Sequence, residues 1–323
     1  MALSSCKPKT VQEAEQKRDV AWLVDNGSPE SVAALGRLAD SDLAAVAALT
    51  KRSDVNTYIA AWASMTREKS TWGVTLLKAA LSDPTQAELA TSALPRRDPR
   101  VGPLVPELEN AVVRLSASKR GGIVAGVLAS LGPVGHAAVQ RRLEDPKTRG
   151  SMCDGIGLPE ASGDAKSLVL AVSPDARDHE SCVGVVVEMA KTENVVVGWL
   201  GSSAEPGLLS AVAKGTLACP RVALIWEKAL VDRPPETHAA LNVPLHLSMK
   251  RCASTLDPTL ADLLEKAPRS RACIIQALDP FGSETADLKK TCAGLKKGWH
   301  RGESARIRAR AEEALSRGCT FAK

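Results

Sequence analysis

The chain has 323 residues, enough for one elongated domain or two compact ones; 44% are apolar and only 3% aromatic. A core of that composition is built from Ala, Leu and Val, which suit closely packed helices, and the shortage of aromatic residues argues against a β-sandwich. No run reaches the ~18 apolar residues that span a bilayer. The formal net charge of +5 is uneven: residues 285–323 hold ten Lys and Arg against four Asp and Glu, so the remainder carries about −1.

In chain order, the first element is a tether. Leu3-Ser4-Ser5-Cys6 resembles a bacterial lipobox. In that family a signal peptide is cut just before the Cys, which then carries the lipid. The basic and apolar segments of a signal peptide are not found within the five residues before Cys6. Cys6-Lys7-Pro8-Lys9 leads into polar "TVQEAEQKRD". Residues 1–18 are therefore expected to be a tether with Cys6 as the lipid-bearing residue. Residues 19–323 are expected to form a single domain.

That domain repeats a helical unit. Asp83-Pro-Thr-Gln-Ala-Glu-Leu89 and Asp257-Pro-Thr-Leu-Ala-Asp-Leu263 are nearly one phrase; "GHAAVQRRL" from Gly135 and "THAALNVPL" from Thr237 are another pair. Pro follows Asp98, Asp145, Ser173, Glu205 and Cys219 as well. Pro is tolerated at the first helical position, where the N–H has no partner, and an Asp before it can cap the helix. Each such dipeptide reads as a helix start. The segments between are apolar at helical spacing, as in Val222, Ile225, Ala229, Leu230 and in Leu260, Leu263, Leu264, Ala267. "SLVLAV" from Ser167 and "VGVVVEM" from Val183 are the only strand-like stretches, and their Pro-punctuated neighbours favour short buried helices. Paired helices recurring every ~30–45 residues predict an all-α fold, an α-solenoid of paired antiparallel helices. The Asp-Pro starts and endings such as "SRACIIQAL" and "ARAEEAL" resemble HEAT-like repeats over residues 27–318. Unit lengths vary, and the internal Arg/Asp ladder of that family is not evident.

No phosphate loop, nucleophile elbow, zinc-protease phrase or calcium loop occurs. The chain therefore reads as non-enzymatic, with no cofactor and no metal site. His238 and His246, eight apart, would share a helix face incidentally. His179, Glu180 and Cys182 fall at a helix start, with Asp178 as the expected cap, rather than forming a Cys/His nucleophile. None of the eight Cys has zinc spacing. Helix order suggests three disulfides, each needing Cα atoms ~5.5 Å apart. Cys219 begins a helix and Cys252 ends the antiparallel one that follows. Cys273 and Cys292 sit at similar distances from a turn near Pro280. Cys153 and Cys182 occupy equivalent helices of adjacent repeats. Cys319 is left odd once Cys6 is lipidated.

Trp22, Trp62, Trp199 and Trp226 lie in apolar patterns and read as core. Trp72, after "REKST", and Trp299, in "KKGWHR", read as exposed anchors for a partner, beside Lys296 and Lys297. The basic residues cluster at the C-terminal end instead of recurring from repeat to repeat, which predicts a solvated capping repeat rather than a nucleic-acid groove. The function expected is a protein-interaction scaffold, lipid-anchored in the bacterial envelope (periplasm). The alternative is a cytoplasmic nucleic-acid-binding solenoid of the base-excision type.

Overall fold

The computed structural model describes residues 8, 10–67, 70–177, 179–203, 205–233, 235–278 and 289–296, with Arg308, Ala309 and Glu312. Among the described residues every regular element is helical, and none is a strand. The chain divides into two compact units, 1–176 and 177–323. The first holds α1 (Val11–Gln16), α2 (Val20–Asn26), α3 (Pro29–Leu38), α4 (Leu43–Thr50), α5 (Val55–Met65) and α6 (Trp72–Ser82). It continues with α7 (Ala87–Ser92), α8 (Val105–Leu115), α9 (Lys119–Ser130), α10 (His136–Glu144), α11 (Arg149–Ile156) and α12 (Gly163–Ala171). The short α13 (Pro174–Arg177) falls at the boundary in sequence. The second unit holds α14 (Glu180–Ala190), α15 (Asn194–Ser203), α16 (Pro206–Lys214), α17 (Cys219–Asp232), α18 (Asn242–Lys266), α19 (Arg271–Leu278) and α20 (Lys289–Lys296).

Local chemistry sets most of these starts. Ser28 caps α3 by accepting from Ser31 N at 3.2 Å, with Pro29 in the first turn. Asp54 caps α5 through Thr57 N at 3.0 Å, and Ser162 caps α12 through Ala165 N at 3.1 Å. Pro206 and Pro220 open α16 and α17. The strand-like "SLVLAV" and "VGVVVEM" lie largely in α12 and α14 and are helical.

The two matching heptapeptides take different roles. Asp83-Pro84 makes a turn between α6 and α7; its carboxylate accepts from Thr85 N at 2.8 Å, four residues before α7 begins. Asp145-Pro146 turns in the same way before α11. Asp257-Pro258, expected to start a helix, instead lies inside α18. Asp257 is buried and caps a different helix. It accepts from Lys290 N and Thr291 N, both at 2.8 Å, at the start of α20.

Within the first unit the helices form two layers. In one, α1, α3, α5, α7, α9 and α11 touch in succession; in the other, α6, α8, α10 and α12 do, with α2 and α4 packed together before them. Small residues allow close approach. A Cβ on Gly155 of α11 would sit 2.5 Å from Gly126 N of α9. A Cβ on Gly73 would collide with Ser64 Oγ and the Ala61 carbonyl. Within the second unit α14, α16, α18 and α20 touch in turn, α15 packs on α17, and α17 and α19 pack on α18.

Arginines close the helix ends. Arg67 donates to Gly36 O of α3 at 2.9 Å, Arg114 to Leu81 O of α6 at 2.5 Å, and Arg221 to Ala190 O of α14 at 2.9 Å. Arg149 holds Leu143 O and Glu144 O at the end of α10, and Arg271 holds Leu264 O and Glu265 O at the end of α18. Arg251 donates to three carbonyls, Val212, Ala213 and Leu217, at and just beyond the end of α16. Terminal carbonyls have no intrahelical donor, and a cation there also complements the helix dipole.

The matched heptapeptides give a direct test. Asp257→Ala should cost about 2–3 kcal/mol, because the buried Thr291 N–H and hydroxyl and the half-buried Lys290 N–H lose their acceptor. Asp83→Ala should leave the urea midpoint nearly unmoved, since its contacts are local and none is buried. Similar shifts in the two variants would contradict these assignments.

Candidate functional site

Helix α4, "LAAVAALT", carries no charge from Leu43 to Thr50 and is apolar on all sides. Asp42 caps it by accepting from Ala44 N at 2.8 Å. Only Ala45 and Leu49 are buried, and Leu43 is 86% exposed. It packs on α2 and α3 but barely touches α6, although α6, α8, α10 and α12 pack in succession. The gap is a cleft of about 420 Å³. Val46 and Thr50 form one wall, Leu76 and Ala79 the other, and Tyr58 and Trp72 lie among its lining residues.

The polar groups lining the cleft are committed to one another. Tyr58 donates to Gln86 Oε1 at 2.5 Å, and Gln86 Nε2 donates to Asp83 Oδ2 at 2.7 Å. Burial pushes the Tyr58 phenol above its ordinary range, and the nearby Asp83 and Asp54 carboxylates push the same way. Arg52 pairs with Asp54 at 2.9 Å. Trp72 Nε1 donates to Asp40 Oδ1 at 3.1 Å. Desolvation raises the Asp40 pKa, but hydrogen bonds from Ser70, Trp72 and Arg67 outweigh it and hold the carboxyl low. The cleft thus offers apolar depth with a satisfied polar lining, suited to receiving an apolar side chain. Among the described residues no group of three His, Cys, Asp or Glu could hold a metal ion.

Several expected site residues stand differently. Trp72 is a correction: it is 8% exposed, its ring packed inward and its N–H bound to Asp40, 32 residues earlier in sequence. It is no free surface anchor. Lys296 is exposed at the end of α20. Cys6, Lys297, Trp299, Cys319 and Asp178 lie outside the described residues. The cap of α14 is His179, whose Nδ1 accepts from Ser181 N at 3.3 Å. Cys182 is disulfide-bonded and has no thiol to act as a nucleophile. His238 and His246 do not share a helix: His238 is buried in the 3₁₀ segment Pro235–Leu241, and His246 Nδ1 meets Ala277 O at 2.9 Å from α18. Of the aromatic residues read as core, Trp226 is buried and donates to Ser248 Oγ at 2.8 Å. Trp22, Trp62 and Trp199 are half-buried, and Arg100 lies 5.4 Å over the Trp62 ring.

Cys219 and Cys252 form a disulfide with Cα atoms 5.3 Å apart. Cys153, Cys182 and Cys292 are also disulfide-bonded. Cys273 is a correction: it is a free, buried thiol, so no Cys273–Cys292 bridge exists. α19 packs on α18 and on Pro235–Leu241, whereas α20 packs on α18. The Cys273 sulfur therefore meets His238 O at 3.5 Å and Asn242 Oδ1 at 3.4 Å.

The α4 cleft was not singled out from sequence. Its one sequence signal is an eight-residue apolar helix with no polar face, too short for a membrane and too apolar for a solvated surface. No known protein family matches the chain, and no curated protein matches it. Among solved structures, a crystal structure described as that of an engineered protein, from the Northeast Structural Genomics Consortium, aligns over 96% of each chain. The identity is 12% and the TM-score 0.25, a likeness that carries no argument.

Burial pushes the Cys273 thiol from 9.0 up to about 12. The unfolded chain ionises first as pH rises, so this group should subtract stability progressively above about pH 9, and Cys273→Ser should remove that slope. At pH 8 the native protein should leave Cys273 unalkylated, while urea should expose it. Rapid native labelling of Cys273 would contradict its burial.

Proposed function

We propose that the protein is a non-enzymatic interaction module, a HEAT-like α-solenoid that docks another protein at α4 and its cleft. The observation that carries this reading is an uncharged helix with two buried residues and Leu43 at 86% exposure, standing beside an open apolar cleft. A contiguous apolar patch of this kind is uncommon on a surface that meets only water. The helix-end arginines support the repeat: they reach back 31, 33, 31 and 34 residues, about one helix pair each.

The disulfide-bonded cysteines favour an oxidising compartment. Together with Leu3-Ser4-Ser5-Cys6, they support a lipid-tethered protein of the bacterial envelope. Two measurements test the proposal. A photo-cross-linking residue at Ala47, in the native host, should trap one discrete protein. Leu43→Asp should abolish that adduct without shifting the urea midpoint. The same adduct from exposed Ser92 of α7, or none from Ala47, would count against docking at α4. For the tether, Cys6→Ala should move the protein from the membrane fraction to the lumen; unchanged partitioning would remove the lipid from the reading.

A further inference from the structure

Helix α18 is broken at Cys252, where φ is −122° and ψ is 30°. Pro258 does not explain the break. Its missing donor and its ring disturb the carbonyl four residues back, at position 254, beyond the break. The residue with non-helical angles is the one tied by a disulfide to Cys219, the first residue of α17.

On each side of the break α18 grips the end of another helix. Before it, Arg251 donates to Val212 O at 3.0 Å, Ala213 O at 3.0 Å and Leu217 O at 2.8 Å, closing α16. After it, Asp257 accepts from Lys290 N and Thr291 N and from the Thr291 hydroxyl, all at 2.8 Å, opening α20. Returning one residue to helical angles swings everything beyond it. Arg251 and Asp257 cannot both keep their grips through such a swing.

We propose that the Cys219–Cys252 disulfide is a redox latch that holds α18 bent, and that reduction by a dithiol releases Asp257 from the start of α20. The dithiol's thiolate attacks Sγ of Cys219. The S–S bond breaks, and its electron pair leaves on Sγ of Cys252, which takes up a proton. The second thiol of the reductant then displaces the Cys219 sulfur from the mixed disulfide. Two protein thiols and an oxidised cyclic dithiol result. Accessibility favours this bridge: among the described disulfide-bonded cysteines Cys219 is half-exposed, whereas Cys252, Cys153, Cys182 and Cys292 are buried. α20, Lys289–Lys296, lies within the basic stretch 285–323, so the latch acts on the start of that described helix. The inference does not depend on docking at α4.

Lys290 and Thr291 stand in the first turn of α20, where N–H groups have no intrahelical acceptor. Their protection from hydrogen exchange therefore reports the Asp257 grip. In C219S/C252S, kept under non-reducing conditions so the other bridges persist, exchange at 290 and 291 should rise by ~10-fold or more. Residues 222–230 of α17, around buried Trp226, should keep their protection. Unchanged exchange at 290 and 291 would overturn the latch. A uniform rise from α14 to α20 would also overturn it, the bridge then being a staple of the whole unit. The second arm uses the wild type, with limited dithiothreitol followed by alkylation and mass mapping. Cys219 and Cys252 should be the first thiols to appear, and that species should show the same local loss of protection. Full protection at 290 and 291 in the singly reduced protein would refute the proposal.

Discussion

A helix that ends against its neighbour leaves its last carbonyls without donors, and this protein meets that constraint with arginine. An Ala, Leu and Val core has little to offer a buried carbonyl. A guanidinium has five donors in a rigid fork and a charge that suits the negative end of a helix. Arg67, Arg114, Arg221 and Arg251 each reach back to the end of an earlier helix. Serines do the same at Ser116 O and Leu230 O. These bonds fix the height at which one helix meets another. They complement the glycine contacts, such as Gly155 on Gly126, that bring α9 and α11 together. Lysine could not replace the fork at Arg251, where three nitrogens find three carbonyls.

Helix existence was readable in the sequence because apolar spacing and Pro starts are local. The arginine device was not. The sequence shows no Arg/Asp ladder because the acceptors are main-chain carbonyls, which every residue carries and no pattern marks. The twin heptapeptides show the same limit. Locally they are equivalent, yet at Asp83 the Asp-Pro expected to start a helix forms a turn four residues before α7. At Asp257 the helix continues through Pro258, and the carboxylate caps a helix more than 30 residues on. Tertiary demand for an N-terminal acceptor at α20 decides the role of that residue.

The cysteines and Trp72 divide on the same line. Cys219 and Cys252 could be paired from helix order, since a hairpin brings its start and end together. Cys273 could not be assigned that way. Its environment depends on α19 facing Pro235–Leu241 rather than α20. Trp72 follows the polar run "REKST", which suggested exposure, but Asp40, 32 residues earlier, supplies an acceptor and its ring turns inward. Side-chain direction at a helix start is set by the partner available, and here that partner is distant in sequence.

The α4 cleft reads as a built feature and not a packing lapse because of how its polar groups are arranged. A fault between stacked helices strands donors and acceptors along the gap, since the neighbour that should satisfy them is missing. Here Tyr58, Gln86 and Asp83 satisfy one another, as do Arg52 and Asp54. The deep side of the cleft is anchored by Trp72, whose indole is fixed to Asp40, while the exposed residues at its edge are the small Thr50, Thr75 and Ala79. A rigid floor with a low rim keeps the gap from collapsing. Among the described residues of this unit, none covers the outer face of α4, where Leu43 is 86% exposed. Apolar surface brought against that face, as the docking proposal has it, would meet little opposition from polar desolvation, because the polar atoms of the cleft have already given up water to one another.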